Sequence, residues 1–144
     1  MGNVNFTKDI DINIFDLDGE CVKNSRLYAQ YSEMLVQAEY LKKTLKEREE
    51  ILHAKLDWEI RNSDNGKKTI REAEIKSEII LNPEIQKILR RLSRADYKVS
   101  MLKAALSSID QKRKHLEYLV RLYCSQYWVT QTKSIERKEE YDEE

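Results

Sequence analysis

The residues in this chain best suited to chemistry are cations set beside aromatic rings. The run His53-Ala54-Lys55-Leu56-Asp57-Trp58-Glu59-Ile60-Arg61 flows into Lys67-Lys68. Lysine and arginine neutralise phosphates, and an indole face such as that of Trp58 can stack a base, the combination that single-stranded nucleic acid calls for. The expected contact residues are therefore His53, Lys55, Trp58, Arg61, Lys67 and Lys68. A tryptophan packed in a core is the competing reading of Trp58. A second group, Lys87, Arg91, Arg94 and Lys98, is joined further on by Lys112. At ~100° per residue these five project within roughly 60° of one another, on a face read as opposite the apolar seam of their helix. Such a ridge is the footprint of contact with a nucleic-acid backbone, and equally that of a solvated coiled-coil exterior. Between Ile85 and Arg121 there are ten Lys and Arg against only Asp96, Asp110 and Glu117, which favours the first.

Other chemistries find no support. His53 and His115 stand alone, and Cys21 and Cys124 lack metal-ligand spacing. There is no Gly-rich phosphate loop of the Walker type. No catalytic residue, metal or cofactor is expected. Phe15-Asp16-Leu17-Asp18-Gly19 resembles the nucleophile motif of the haloacid-dehalogenase phosphatases over five residues. Glu20 follows where that family has threonine, and no later strand pattern supplies its lysine and acidic pair. The segment reads as a turn, with Gly19 as punctuation and Asp18 as the cap of the next helix.

The elements that must position the cations are long helices. From Glu84 to Tyr127, steps of three and four mark Ile85, Ile88, Leu92, Ala95, Val99, Leu102, Leu106, Ile109, Arg113, Leu116, Val120, Tyr123 and Tyr127. Twelve of these thirteen are apolar or aromatic, and Arg113 reads as a polar seam position that sets register or oligomer state. Asn82 is a suitable N-cap and Pro83 a suitable first helical residue. A first long helix is expected from about Cys21 to about Asn62, with the stripe Leu27, Tyr31, Met34, Ala38, Leu41, Leu45, Leu52, Leu56, Ile60. A polar loop from Asn62 to Lys68 separates it from a short helix, Thr69 to Leu81, with Ile70, Ala73, Ser77 and Ile80 on its stripe. Ahead of all this, Ile10, Ile12 and Ile14 alternate with polar residues, as in a strand or an extended arm.

The expected fold class is all-α: a long antiparallel helical hairpin or coiled coil with a short third helix and a short extended N-terminal arm. The expected organisation is an arm over 1–20, a helical domain over 21–132 and a disordered acidic tail over 133–144. Leu89, Met101, Ala105, Leu119 and Leu122 lie off the seam, more apolar surface than one hairpin covers, so a homo-oligomer is expected. Composition agrees: three glycines and one proline in 144 residues leave little to break a helix. Formal charge cancels overall but not locally. Residues 1–41 carry three basic and seven acidic groups, net −4; residues 42–122 carry twenty and thirteen, net +7; residues 123–144 carry three and six, net −3. A basic middle suits an anionic partner. No apolar run approaches the ~20 residues of a membrane span, and the cysteine usage without a signal peptide suggests a reducing cytoplasm.

Ile51-Leu52-His53-Ala54-Lys55-Leu56-Asp57-Trp58 resembles the signature of the UvsY-type recombination mediators of T-even phages, Lys-Ala-Arg-Leu-Asp-Tyr after an apolar pair. A glycine-containing polar loop, the triplet Lys76-Ser77-Glu78 and a long apolar-patterned helix follow in the same order, over roughly residues 15 to 125. The resemblance implies a homo-oligomeric helical protein without enzymatic activity, at work in the cytoplasm of an infected bacterial cell. It would bind single-stranded DNA and help a RecA-like recombinase replace the single-strand-binding protein there. The family's two basic residues tied to DNA binding fall on His53 and Lys55. His53 departs from the pattern, since histidine is mostly neutral at pH 7; Arg61, Lys67 or Lys68 would compensate. A structural or adaptor coiled coil without a nucleic-acid role is the alternative, favoured by the regular seam.

Overall fold

The computed structural model describes residues 6–63 and 71–127, which hold three α-helices and, among the described residues, no strand. α1 spans Leu17–Ser63, α2 Glu72–Leu81 and α3 Pro83–Cys124. The fold is the expected all-α hairpin with a short third helix. Two compact units divide the chain, Met1–Tyr31 with Ala104–Glu144 and Ser32–Lys103.

Local chemistry sets the helix ends. Gly19 N–H donates to Asp16 Oδ1 at 3.2 Å, so Asp16, not Asp18, caps α1, which begins four residues earlier than expected. A Cβ on Gly19 would fall on that carboxylate, so a larger residue there would require the Asp16 side chain to shift. Asp18 and Glu20 occupy the first turn instead, where negative charge suits the helix dipole. Asn82 Oδ1 accepts from Glu84 N–H at 2.9 Å and Pro83 is the first residue of α3, as the sequence indicates.

In the unit Ser32–Lys103, α1 and α3 run antiparallel. Glu39 pairs with Lys103 and Lys42 with Asp96, so an advance along α1 is a retreat along α3. Ala38 and Leu45 of α1 are buried, with Ile85, Ala95, Val99 and Leu102 of α3. Met34 and Leu41, expected on the α1 stripe, are exposed. Ile75 and Ile79 of α2 join Ile85 in a cluster against which Leu52, Leu56 and Ile60 pack. The stripe expected for α2 is therefore corrected: Ala73, Ser77 and Ile80 face solvent, and Ile70 lies outside the described residues. Two isoleucines one turn apart remove more apolar area from water than an alanine and a serine can.

In the unit Met1–Tyr31 with Ala104–Glu144, the seam departs from expectation. The buried line of α3 moves to Ala105, Ile109, Lys112 and Leu116, while Arg113, Tyr123 and Tyr127 are exposed. Arg113 is held on the surface of its own helix by Asp110 and Glu117. The polar members of the packed lines are instead Lys112 and, on α1, Glu20 and Asn24. The cause is the arm. Residues 6–16 form turns and irregular chain rather than a strand, and they lie against the flank of α3. Lys112 Nζ donates to Asp9 O at 3.0 Å and Asp11 O at 2.7 Å, and lies 2.6 Å from Glu20 Oε2. Two of the ammonium's three N–H donors meet arm carbonyls, and the Glu20 carboxylate beside it balances its charge. A buried charge is tolerable only when so paired. Tyr31 adds a second tether, donating from Oη to Asp9 Oδ2 at 2.9 Å. Burial, reinforced by that carboxylate, pushes the Tyr31 phenol up to about 12.

Two outcomes test this arrangement. Lys112→Ala leaves Glu20 buried with only the looser Lys23 contact, at 3.7 Å, and two arm carbonyls without donors, and should lower the unfolding free energy by about 3 kcal/mol, read by urea denaturation. The Lys112 contact, opposed by burial, holds the Glu20 carboxyl below its ordinary value. A depressed carboxylate adds stability above its unfolded pKa, and loses it as pH falls through the folded value. The urea midpoint should therefore fall on acidification below about pH 4.3, and that part of the fall should vanish in Glu20→Gln.

Candidate nucleic-acid interface

The last turns of α1 are positioned by Leu52, Leu56 and Ile60, whose inner line packs on α2 and on Ile85. What faces away from that line is fixed by helix geometry. At about 100° per residue, Lys55, Trp58 and Arg61 spread over about 120° centred opposite the packed side. Trp58 is 67 % exposed, which excludes its packing as a core aromatic within this unit. Lys55 is exposed and only loosely approached by Glu59, at 3.9 Å. His53 is exposed too, but stands about 140° around the helix from Trp58 and does not share its face. Lys67 and Lys68 lie outside the described residues.

Arg61 has a different situation. Its Nε lies 2.9 Å from Asp57 Oδ2 and its Nη2 2.9 Å from Glu72 Oε1. The Asp57 hydrogen bond first, then that of Glu72, holds the guanidinium above its ordinary range, and Arg61 in turn lowers the Asp57 carboxyl. Two carboxylates thus engage its charge, and the pair with Glu72 ties the last turn of α1 to the first turn of α2. For any phosphate contact on this face, Lys55 has the freer charge.

On α3, Lys87, Arg91, Arg94 and Lys98 are exposed and have no acidic partner among the described residues. The ridge lies on the flank of α3, about 110° from the buried line Ile85, Ala95, Val99, rather than opposite it. Lys112, expected to continue this ridge, is buried beneath the arm and contributes nothing to it. Tyr97, 65 % exposed, stands three residues after Arg94 and directly before Lys98, and was missed from sequence. Its signal was available: an aromatic among cations, off the apolar line.

Among the described residues no cluster of three side chains could hold a metal ion, and no helix is long and apolar enough to cross a membrane. The exposed Asp16 and Asp18 sit at a helix start rather than at the end of a strand.

No protein-family model and no curated protein sequence matches the chain. Among solved structures, the recombination mediator protein UvsY of bacteriophage T4 has the same fold, with a TM-score of 0.70 over 84 % of this chain and 92 % of that one. At 16 % identity, the likeness is one of backbone architecture. The UvsY-like fold expected from the Ile51–Trp58 run and the segments after it is thus the fold observed.

The exposure of Trp58 makes a direct prediction. In a Trp128→Phe variant, which leaves one tryptophan, acrylamide should quench the remaining emission freely. Shielded emission would mean that this face is covered in the protein as it exists in solution.

Proposed function

We propose that this protein is a single-stranded-DNA-binding recombination mediator of the UvsY kind. It would help load a RecA-like recombinase onto DNA covered by single-strand-binding protein, in the cytoplasm of an infected bacterial cell. The observation that carries the reading is the coincidence of two independent findings. The backbone follows that of a recombination mediator protein over most of both chains, and the segment resembling the family signature presents Lys55 and Trp58 to solvent.

The work is done by binding, not by covalent chemistry. Each protomer offers few free cations, so one copy grips a strand weakly. Copies assembled together convert successive contacts into intramolecular ones, and affinity rises without any new contact. A homo-oligomer is supported by apolar surface left uncovered in one copy, including Val22, Tyr118 and Tyr123. Of the off-seam residues, Ala105 is buried within the chain and Met101, Leu119 and Leu122 are half-buried, so they leave less apolar surface uncovered than the sequence indicates. A strand held on the assembly, stripped of its single-strand-binding protein, is one on which a recombinase can nucleate.

Binding to a single-stranded oligonucleotide should weaken steeply with salt, by a slope of about 0.7 in log K per phosphate engaged. The combination Lys55→Ala, Lys67→Ala, Lys68→Ala should lower both affinity and slope. The same variant should lose stimulation of a RecA-like recombinase on DNA pre-covered with single-strand-binding protein. An oligomer that ignores single strands at low salt would leave an adaptor coiled coil as the better reading.

A further inference from the structure

α1 carries two apolar lines, and packing uses only one. Ala38 and Leu45 are buried on the inner line, which Leu52 and Leu56 continue. Val36, Tyr40, Ile51 and Trp58 are 66, 72, 69 and 67 % exposed. Tyr40 and Trp58 are eighteen residues apart, five whole turns, so they share one azimuth about 27 Å apart along the axis. Val36 and Ile51 fall within about 40° of that azimuth, and the inner line lies on the far side of the helix. Cations flank the outer line on both edges: Lys43 on one, Arg48 and Lys55 on the other, each about 60–80° from it. Lys43 and Arg48 are exposed and have no acidic partner among the described residues.

We infer that the outer face of α1 from Tyr40 to Trp58 is one continuous track for an unpaired nucleic-acid strand, with Tyr40 as a second stacking platform and Lys43 and Arg48 as phosphate contacts. The inference deepens the proposed function and rests on it. It lengthens the contact by about three helical turns beyond the Ile51–Trp58 run. The occupant follows from the chemistry of the face. Rings along a centre line with cations on both edges complement bases with phosphates, because every base has a face that stacks and every phosphate a charge to neutralise. A second copy docking by the same face would be isologous and would set Lys43, Arg48 and Lys55 against a duplicate positive rim. Glu47 is the carboxylate nearest the centre line, about 20° from the Tyr40 azimuth, and it opposes a strand laid there.

The test is fluorescence anisotropy of the full chain with labelled oligothymidylates of about 4 and about 16 nucleotides, with helix content checked by circular dichroism. Tyr40→Ala should weaken binding of the longer strand about tenfold, while Tyr40→Phe binds as the parent does and the shorter strand is little affected. Lys43→Gln with Arg48→Gln should lower the salt slope by about 1.4. Glu47→Gln should tighten binding about twofold. If the parent binds the strand and the Lys55 variant is weakened, but Tyr40→Ala and the Lys43/Arg48 pair bind as the parent does, the track is overturned and the proposed function stands. If Tyr40→Ala changes the mass by light scattering without changing affinity, the line is a contact between copies and the track is again overturned. If the parent binds no strand, both fall.

Discussion

The burial of a single line of α1 is the interaction from which the other features follow. Asn24, Tyr31, Ala38, Leu45 and Leu52 recur at seven-residue spacing along it. A helix that commits this line to packing has no freedom left in its rotation. Every other residue is then assigned a direction: Glu39 and Lys42 toward partners on α3, Tyr40 and Trp58 to solvent. The candidate interface is thus a consequence of the core, and the same apolar contacts that fold the hairpin hold the rings outward. Rigid presentation matters for a stacking site, because a ring already fixed in place loses little freedom when a base lands on it.

Charge is divided by the same geometry into engaged and free. Lys112 is buried and met by three oxygens, Arg61 lies between two carboxylates, and Arg113 is clasped on its own helix. These cations serve the fold. Lys43, Arg48, Lys87, Arg91, Arg94 and Lys98 have no such partners among the described residues, and Lys55 only a loose one. An anion meets the second group without first displacing a carboxylate. Net charge over a segment therefore overstates what a ligand can use, because neutralised and available cations count alike in it.

The Lys112 site also shows why one polar residue can anchor an arm that has little apolar surface of its own. Two backbone carbonyls of the arm would otherwise rely on water alone, and the ammonium would be stranded. Each satisfies the other, and Glu20 completes the set from the first turn of α1. Arm, α1 and α3 thereby meet at one buried atom. The Asp16 cap, which Gly19 leaves room for, places that first turn where Glu20 can reach.

The sequence by itself determined the helices, the α3 cap at Asn82–Pro83, the antiparallel pairing of two long apolar lines and the UvsY-like order of segments. These follow from local spacing and from capping chemistry, which act within a few residues. It also placed Lys55 and Trp58 together, since residues three apart on a helix are neighbours by geometry. Only the tertiary structure decided between Lys112 and Arg113 at the polar position of α3, because the choice depends on an arm a hundred residues away. It alone separated the buried Ile75 and Ile79 from the exposed Ile80, since a short helix carries two plausible lines and the neighbours choose. And it alone left Tyr40 in solvent: a tyrosine on a long amphipathic helix fits core and surface alike until a partner helix claims one side.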